Sequence, residues 1–400
     1  MLFESNIEKK LSELQANGQL PLAVELWNGR RFAPTWNPRV TLRVPRTAAL
    51  KRLVRPDLAA LGEAYVEGDV DVEGPIDEAF RAAEKLARNW GSTFRGRLPR
   101  LGGHSKKRDQ QAIHYHYDVS NDFYRLWLDR RMVYSCAYFK TGGEDIDTAQ
   151  EQKLDHLCRK LRLQPGDRFL DIGCGWGALI IHAAGKYGVE ATGVTLSESQ
   201  HAEAQERIRA AGLEGRCRVR LQDYRDIPGE GAFDKIASVG MFEHVGLKNL
   251  PVYFGAVRRL LADGGIVMNH GITSMDTENR EVDLGAGEFI EKYVFPHGEL
   301  PHLSLVLREM AEAKLEVMDV ETLRLHYART LALWSRRLEA NLDAARAHAG
   351  EKRARIWRLY LAGCAHAFER GWVTIHQILA AKPADPARNP LPWTRDYMYR

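Results

Sequence analysis

Leu170–Ala178 reads LDIGCGWGA, an apolar run that passes through three glycines into a second apolar run. A strand that enters a glycine loop and then a helix fits few folds. Glycine is required where backbone must approach a ligand closely, and the helix that follows offers free N–H groups. Around this stretch the signals alternate. Strands are expected at Arg168–Ile172, Glu190–Val194, Arg216–Leu221, Lys235–Val239 and Gly265–His270. Helices are expected at Ala178–Tyr187, Glu198–Ala211 and Leu250–Leu261. Strands separated by helices imply an α/β fold with a doubly wound, mostly parallel sheet. A helix near Thr148–Leu161 precedes it. Two long helical segments, Thr330–Ala349 and Lys352–Arg370, follow it, and Trp372–Leu379 reads as a last strand.

The 400 residues exceed one average domain, and an apolar fraction of 44% is ample for a core. Residues 1–93 read as a small mixed domain, with helices at its start and near Ile76–Ala87. Residues 94–114 read as a basic linker, and 115–400 as the α/β domain. The five cysteines lack metal-type spacing, so no metal site is expected, and the odd count suggests reduced thiols in the cytoplasm. MLFESNIEKK has no apolar core of signal-peptide length, and no run approaches the ~20 apolar residues that span a bilayer. The net charge of +4 is uneven: Arg39–Arg55 and Arg95–Arg108 each carry six basic residues and no acid. These are either solvated faces or a means of attraction to an anionic membrane, where each base adds ~1 kcal/mol. No nucleic-acid motif accompanies them.

The glycine loop also satisfies G-x-G-x-x-[GA], so a nicotinamide site has to be weighed. Three details favour S-adenosylmethionine. Asp171 precedes the first glycine, where a carboxylate can meet an ammonium group. Gly173, Gly175 and Gly177 complete D-x-G-x-G-x-G, which resembles the first motif of the class I methyltransferases. The next strand ends in GVTLSESQ, without the acid that grips a nicotinamide ribose. Thr195 and Gln200 would hold the cofactor there. In LQDYRD, Asp223 and Tyr224 are candidates for adenine contact.

Further stretches are HYDVSNDFYRLWLD, YSCAYF, QDYRD, SVGMFEHVG and YVFPHGELP. With the glycine loop and GVTLSESQ, they resemble the cyclopropane fatty acid synthases, methyltransferases that act on unsaturated phospholipid chains. The resemblance spans roughly residues 111–380. Less specifically, the N-terminal region resembles that family's small lipid-associated domain. The resemblance implies a catalytic domain of the class I methyltransferase type with helical substrate-channel insertions. It implies that Tyr134 and Ser135 touch the cofactor. It also implies a bound bicarbonate, held by Cys136, Glu243, His270, Tyr327 and the backbone of Ile272, that removes a proton from the transferred methyl so that a ring can close. Glu243 would accept the proton of the ion; His270, Tyr327 and the Ile272 amide would donate to its oxygens. The bland alternatives are a helix N-cap for Glu243, a satisfied core histidine for His270 and a packing tyrosine for Tyr327.

Cys364 matches a family cysteine considered as a nucleophile. An alkene needs an electrophile rather than a thiolate, so a small core residue on a helix is the better expectation. Tyr115, Tyr117, Phe242 and Tyr293 are candidates to line a cation, with plain core as the alternative. Phe289–Leu307 is expected to shape the substrate channel and, with the basic stretches, to face the membrane from the cytoplasmic side. The partners implied are unsaturated phospholipids and an anionic membrane surface. Monomer and homodimer both stay open. The competing readings are a fatty acid C-methyltransferase, a non-catalytic lipid-binding protein with this fold, and a nicotinamide dehydrogenase.

Overall fold

The computed structural model describes residues 2–49, 57–90, 119–277, 286–295, 298–385 and 390–400. The first unit contains α1 (Leu2–Ala16), β1 (Ala23–Leu26), β2 (Arg31–Phe32), β3 (Thr41–Val44), α2 (Leu58–Val66), β4 (Asp71–Glu73) and α3 (Ile76–Trp90). Its sheet runs β2-β1-β3-β4, with β1 and β3 parallel. Asp57 starts α2 by accepting the Ala60 N–H at 2.7 Å. α3 has acids in its first turn and Arg88 in its last, which suits the helix dipole. It buries Ile76, Ala79, Phe80, Leu86 and Ala87, one stripe of a 3.6-residue period.

The second unit begins with α4 (Asn121–Arg125), α5 (Ile146–Lys160), β5 (Arg168–Ile172), α6 (Ala178–Tyr187), β6 (Glu190–Thr195), α7 (Glu198–Ala210) and β7 (Cys217–Leu221). It continues with β8 (Phe233–Val239), α8 (Leu250–Leu260), β9 (Leu261–Ser274), α9 (Ala286–Tyr293), α10 (Leu303–Glu312) and β10 (Glu316–Thr322). It ends with α11 (Arg324–Ala340), α12 (Leu342–Ala349), α13 (Glu351–Arg370) and β11 (Val373–Ala381). The seven strands run β10-β11-β9-β8-β5-β6-β7. β5 to β9 pair in parallel; β11 is antiparallel to both β9 and β10. Phe169, Leu170 and Ile172 of β5 are buried, as expected for a central strand covered on both faces. The order reverses at β5, so the crevice opens at the carboxyl ends of β5 and β8.

This is the expected doubly wound sheet of the class I methyltransferase type. Three local readings change. β10 had no expected strand: its acids Asp319 and Glu321 hide the alternation, because they face the buried Lys160. β9 runs past His270 to Ser274, because β11 pairs with it from Val373↔Ser274 to Ala381↔Ile266. His270 and Ile272 are therefore strand residues. The Thr330–Ala349 segment begins earlier, at Arg324, and breaks at Asn341.

α13 joins the two units. Arg358 pairs with Glu339 at 2.6 Å and donates to the Tyr65 hydroxyl at 2.9 Å, while His366 meets Glu84 at 2.7 Å. α9 adds Lys292–Glu63 at 2.5 Å and Tyr293 to Glu67 at 3.0 Å. In the Phe289–Leu307 segment, Phe289, Tyr293 and Val294 are buried, so this part packs inward against α2. Within the first basic run, Arg39, Arg43 and Arg46 pair with Glu78, Glu73 and Asp69. Its remaining bases, the linker with the second basic run, Tyr115 and Tyr117 lie outside the described residues. Among the described residues no helix is long and apolar enough to cross a membrane.

Candidate active site

A cleft opens at the carboxyl ends of β5, β6, β7 and β8 and encloses about 1190 Å³, solvent mouth included. Nine of the ten expected cofactor residues line it: Tyr134, Ser135, Asp171, Gly173, Gly175, Thr195, Gln200, Asp223 and Tyr224. Gly177 does not. It is the N-cap of α6 at φ 81°, and a Cβ there would meet the Ala204 Cβ at 3.2 Å. Its absent side chain lets α6 pack on α7, a structural role rather than a lining one.

The cleft lining includes buried ionisable groups. Asp171 is buried, and burial pushes its carboxyl up to about 7 against the opposing pull of Lys153. Its Oδ1 has no hydrogen-bond partner among the described residues. The Thr195 hydroxyl donates to Gln200 Oε1 at 2.9 Å, so these two residues hold each other. Asp223 is gripped by Arg225, with Nη2 donating to Oδ2 at 2.6 Å and Nε to Oδ1 at 2.9 Å. Arg225 itself lines the cleft.

None of the six expected catalytic residues lines this cleft, although Cys136 and Glu243 each adjoin a residue that does. Ser135 lines it and Cys136 does not; His244 lines it and Glu243 does not. Glu243 sits in a single turn, Phe242–His244, and α8 starts only at Leu250, so Glu243 caps no helix. Its Oε1 accepts the Ile272 N–H at 2.7 Å. That amide thus serves Glu243, where the resemblance implied donation to a bound anion. Among the described residues Glu243 Oε2 has no partner, and burial pushes the carboxyl up to about 7. His270, fully buried, is held well below its ordinary pKa by burial and is neutral. Gln377 Nε2 donates to its Nδ1 at 3.1 Å, which leaves the proton on Nε2, itself without a partner. Ile272 follows His270 by two residues on β9, so one strand carries both.

A glycine sets this geometry. A Cβ on Gly271 would stand 1.8 Å from Phe242 Cε1. Only glycine lets Phe242 lie on β9 and bring Glu243 to Ile272. Phe242 is thus a packing residue, as is Tyr293, whose hydroxyl is taken by Glu67. The Cys136 Sγ donates to the Ala137 carbonyl at 3.3 Å, and burial pushes its thiol well up. Tyr327 packs on Phe368 with ring centroids 4.7 Å apart. Trp334 links the two sides, 5.5 Å from the Tyr134 ring and 6.2 Å from the Tyr327 ring.

Cys364 is on α13, half-buried, with its thiol pushed up to about 12 by burial. A thiol held in its neutral form is a weak nucleophile, which favours the reading of Cys364 as a small core residue. Cys364→Ser is expected to keep product formation within about twofold of the parent, the size of a mild surface change. A loss of several hundredfold would restore the nucleophile.

Sequence reasoning missed Lys153, Gln377, Gly271 and Arg225. Lys153 had a readable signal: it shares a helical stripe with Ala149, Gln150, Leu154 and Leu157, all buried. The others gave none, because their roles depend on partners on other elements.

A doubly wound sheet with this loop and cleft defines an S-adenosylmethionine-dependent methyltransferase. Residues 104–378 match the family described as mycolic acid cyclopropane synthetase, and residues 11–92 match a domain of unknown function. The chain belongs to the mycolic acid cyclopropane synthetase family. It is 51% identical over 385 residues to a probable fatty acid methyltransferase of Pseudomonas putida, covering 95% of this chain and 97% of that one. It is 36% identical to the cyclopropane-fatty-acyl-phospholipid synthase of Escherichia coli K12, covering 90% and 93%. A solved mycolic acid cyclopropane synthase in complex with SAH (S-adenosylhomocysteine) and CTAB superimposes with a TM-score of 0.64 at 35% identity, covering 68% of this chain and 97% of that one. The activity is lipid-modifying methyl transfer from S-adenosylmethionine.

Proposed function

We propose that this protein transfers the methyl carbon of S-adenosylmethionine to the cis double bond of an unsaturated phospholipid acyl chain and closes a cyclopropane ring. When bound, S-adenosylmethionine supplies an electrophilic methyl carbon. Ring closure then needs a base for one proton of that carbon. The observation that carries the reading is that two of the residues expected to hold the anion each keep a buried polar atom without a partner among the described residues, Glu243 Oε2 and His270 Nε2. One accepts and one donates. A bicarbonate ion offers a hydroxyl to the first and an oxygen to the second. Unpartnered buried polar atoms cost free energy, and such an ion would remove that cost at both. Glu243 would orient the ion and receive its proton, while Gln377 keeps His270 in the donating tautomer. The amide of Ile272 fixes Glu243 itself. The acyl chain would come from an anionic membrane surface on the cytoplasmic side.

A second reading has its own support. The Pseudomonas putida relative is described as a fatty acid methyltransferase. A hydride shift from the methylated carbon to the neighbouring cation, followed by loss of a proton from the methyl carbon, would give a methylene branch instead of a ring.

Product analysis separates the two. Purified protein, S-adenosylmethionine and vesicles of a cis-monounsaturated phospholipid are combined, and the acyl chains are examined by mass and proton NMR. A ring and a methylene branch are isomers, so mass alone does not decide. High-field ring protons are the expected result. Vinylic methylene signals would replace ring closure by C-methylation.

A further inference from the structure

Lys153 is a buried cation that the mechanism above does not use. It lies on α5 with 2% of its surface exposed and lines the cleft beside Ser135 and Asp171. Its Nζ donates to Ser135 Oγ at 2.9 Å. A buried ammonium is costly unless its three donors are met, and a neutral hydroxyl is a weak match for it. On the same cleft, Asp171 keeps one carboxylate oxygen without a partner among the described residues. Lys153 and Asp171 lie within each other's field, and the buried Asp129 also faces Lys153, so this part of the cleft wall carries a cation beside a carboxylate with one open oxygen. A free α-amino acid group carries the complementary pair.

The hydrogen-bond direction adds a second constraint. An ammonium group has no acceptor, so Ser135 Oγ must accept from Lys153. The hydroxyl hydrogen of Ser135 is then free to donate elsewhere. The backbone of Ser135 is held as well, since Gln150 Nε2 donates to its carbonyl at 2.8 Å. With the main chain fixed and one lone pair taken, the Ser135 O–H becomes an oriented donor.

We propose that Lys153 is a positioning residue that, through Ser135, selects the α-carboxylate at the methionine end of the cofactor. This rests on reading the cleft as the S-adenosylmethionine site. It makes Lys153 a specificity determinant: it sets the preference for ligands that carry the carboxylate and leaves nucleoside recognition alone.

Calorimetric titration tests it without turnover. Three ligands are compared: S-adenosylhomocysteine, its decarboxylated analogue, and 5′-methylthioadenosine, which lacks the whole amino-acid end. The native protein is expected to prefer S-adenosylhomocysteine over the decarboxylated analogue. Lys153→Met is expected to reduce that preference by ~10–10²-fold, the value of a charge-assisted hydrogen bond. Its affinity for 5′-methylthioadenosine stays unchanged. Ser135→Ala, which leaves Lys153 in place, is expected to lose the same preference. An equal weakening of all three ligands in Lys153→Met would overturn the proposal and leave only a structural lysine. An unchanged preference in Ser135→Ala would overturn the route through the hydroxyl. If the native protein binds none of the three, the reading of the cleft fails first, and this proposal with it.

Discussion

Glu243→Gln leaves S-adenosylhomocysteine affinity unchanged and lowers turnover by ~10²–10⁴-fold, the usual worth of a positioned base. The substitution is close to isosteric. The side-chain oxygen still accepts the Ile272 N–H, which Glu243 Oε1 now takes at 2.7 Å. What disappears is the second carboxylate oxygen, the partnerless Oε2, replaced by a donor. Two donors would then face the base, from this position and from His270, and its proton would have nowhere to go. The cleft lining omits Glu243, so ligand binding has no reason to change. Turnover near the native value would refute the role given to Glu243.

The same group gives the pH dependence. Burial raises its carboxyl from 4.5 to about 7. The folded value lies above the unfolded one, so its contribution to stability is fully present below pH 4.5 and is lost as pH rises through about 7. Activity has the opposite sign, because the ionised form is the one that can accept a proton. The native protein is expected to gain turnover and lose melting temperature across this window. The Glu243→Gln variant is expected to lose the Glu243 share of both slopes, while Asp171, also raised to about 7 by burial, keeps its own share of the stability slope. The site therefore holds a carboxylate that costs stability where it is useful.

Gly175→Val abolishes detectable S-adenosylhomocysteine binding, a loss of ~10²-fold or more. Two effects combine. Gly175 has φ 54°, a left-handed conformation in which a β-branched residue is strained by ~1–3 kcal/mol. A Cβ there meets no protein atom within 4 Å, and Gly175 lines the cleft, so the added branch takes ligand volume rather than clashing with the fold. The protein should stay folded and lose its ligand, which calorimetry and a melting curve would register together. Retained affinity would show that the loop does not hold the cofactor. Gly177 is the contrast, since a side chain there meets Ala204 and strains the α6–α7 packing instead.

Much of this architecture was readable along the chain. β5 and α6 fall at the expected residues, because each is bounded by local signals: an apolar run, a glycine loop, and glycine again at the end of the helix. Nine of the expected cofactor residues converge on one cleft because the doubly wound sheet gathers strand ends at one edge. β10 was not readable. Its acids resemble a solvated loop until Lys160 is found opposite them. The inward packing of Phe289 and Tyr293 was equally hidden, since α2 supplies the surface they meet.

The sequence by itself determined the sheet class, the glycine loop and the identity of the residues at the strand ends, because these follow from periodicity and backbone conformation over a few neighbours. Only the tertiary structure decided the state of the candidate site groups. Glu243 is fixed by an amide 29 residues away, the His270 tautomer by an amide side chain 107 residues away, and Ser135 by a lysine 18 residues away. Burial and hydrogen-bond direction set charge and proton position, and both depend on which distant segments the fold brings into contact.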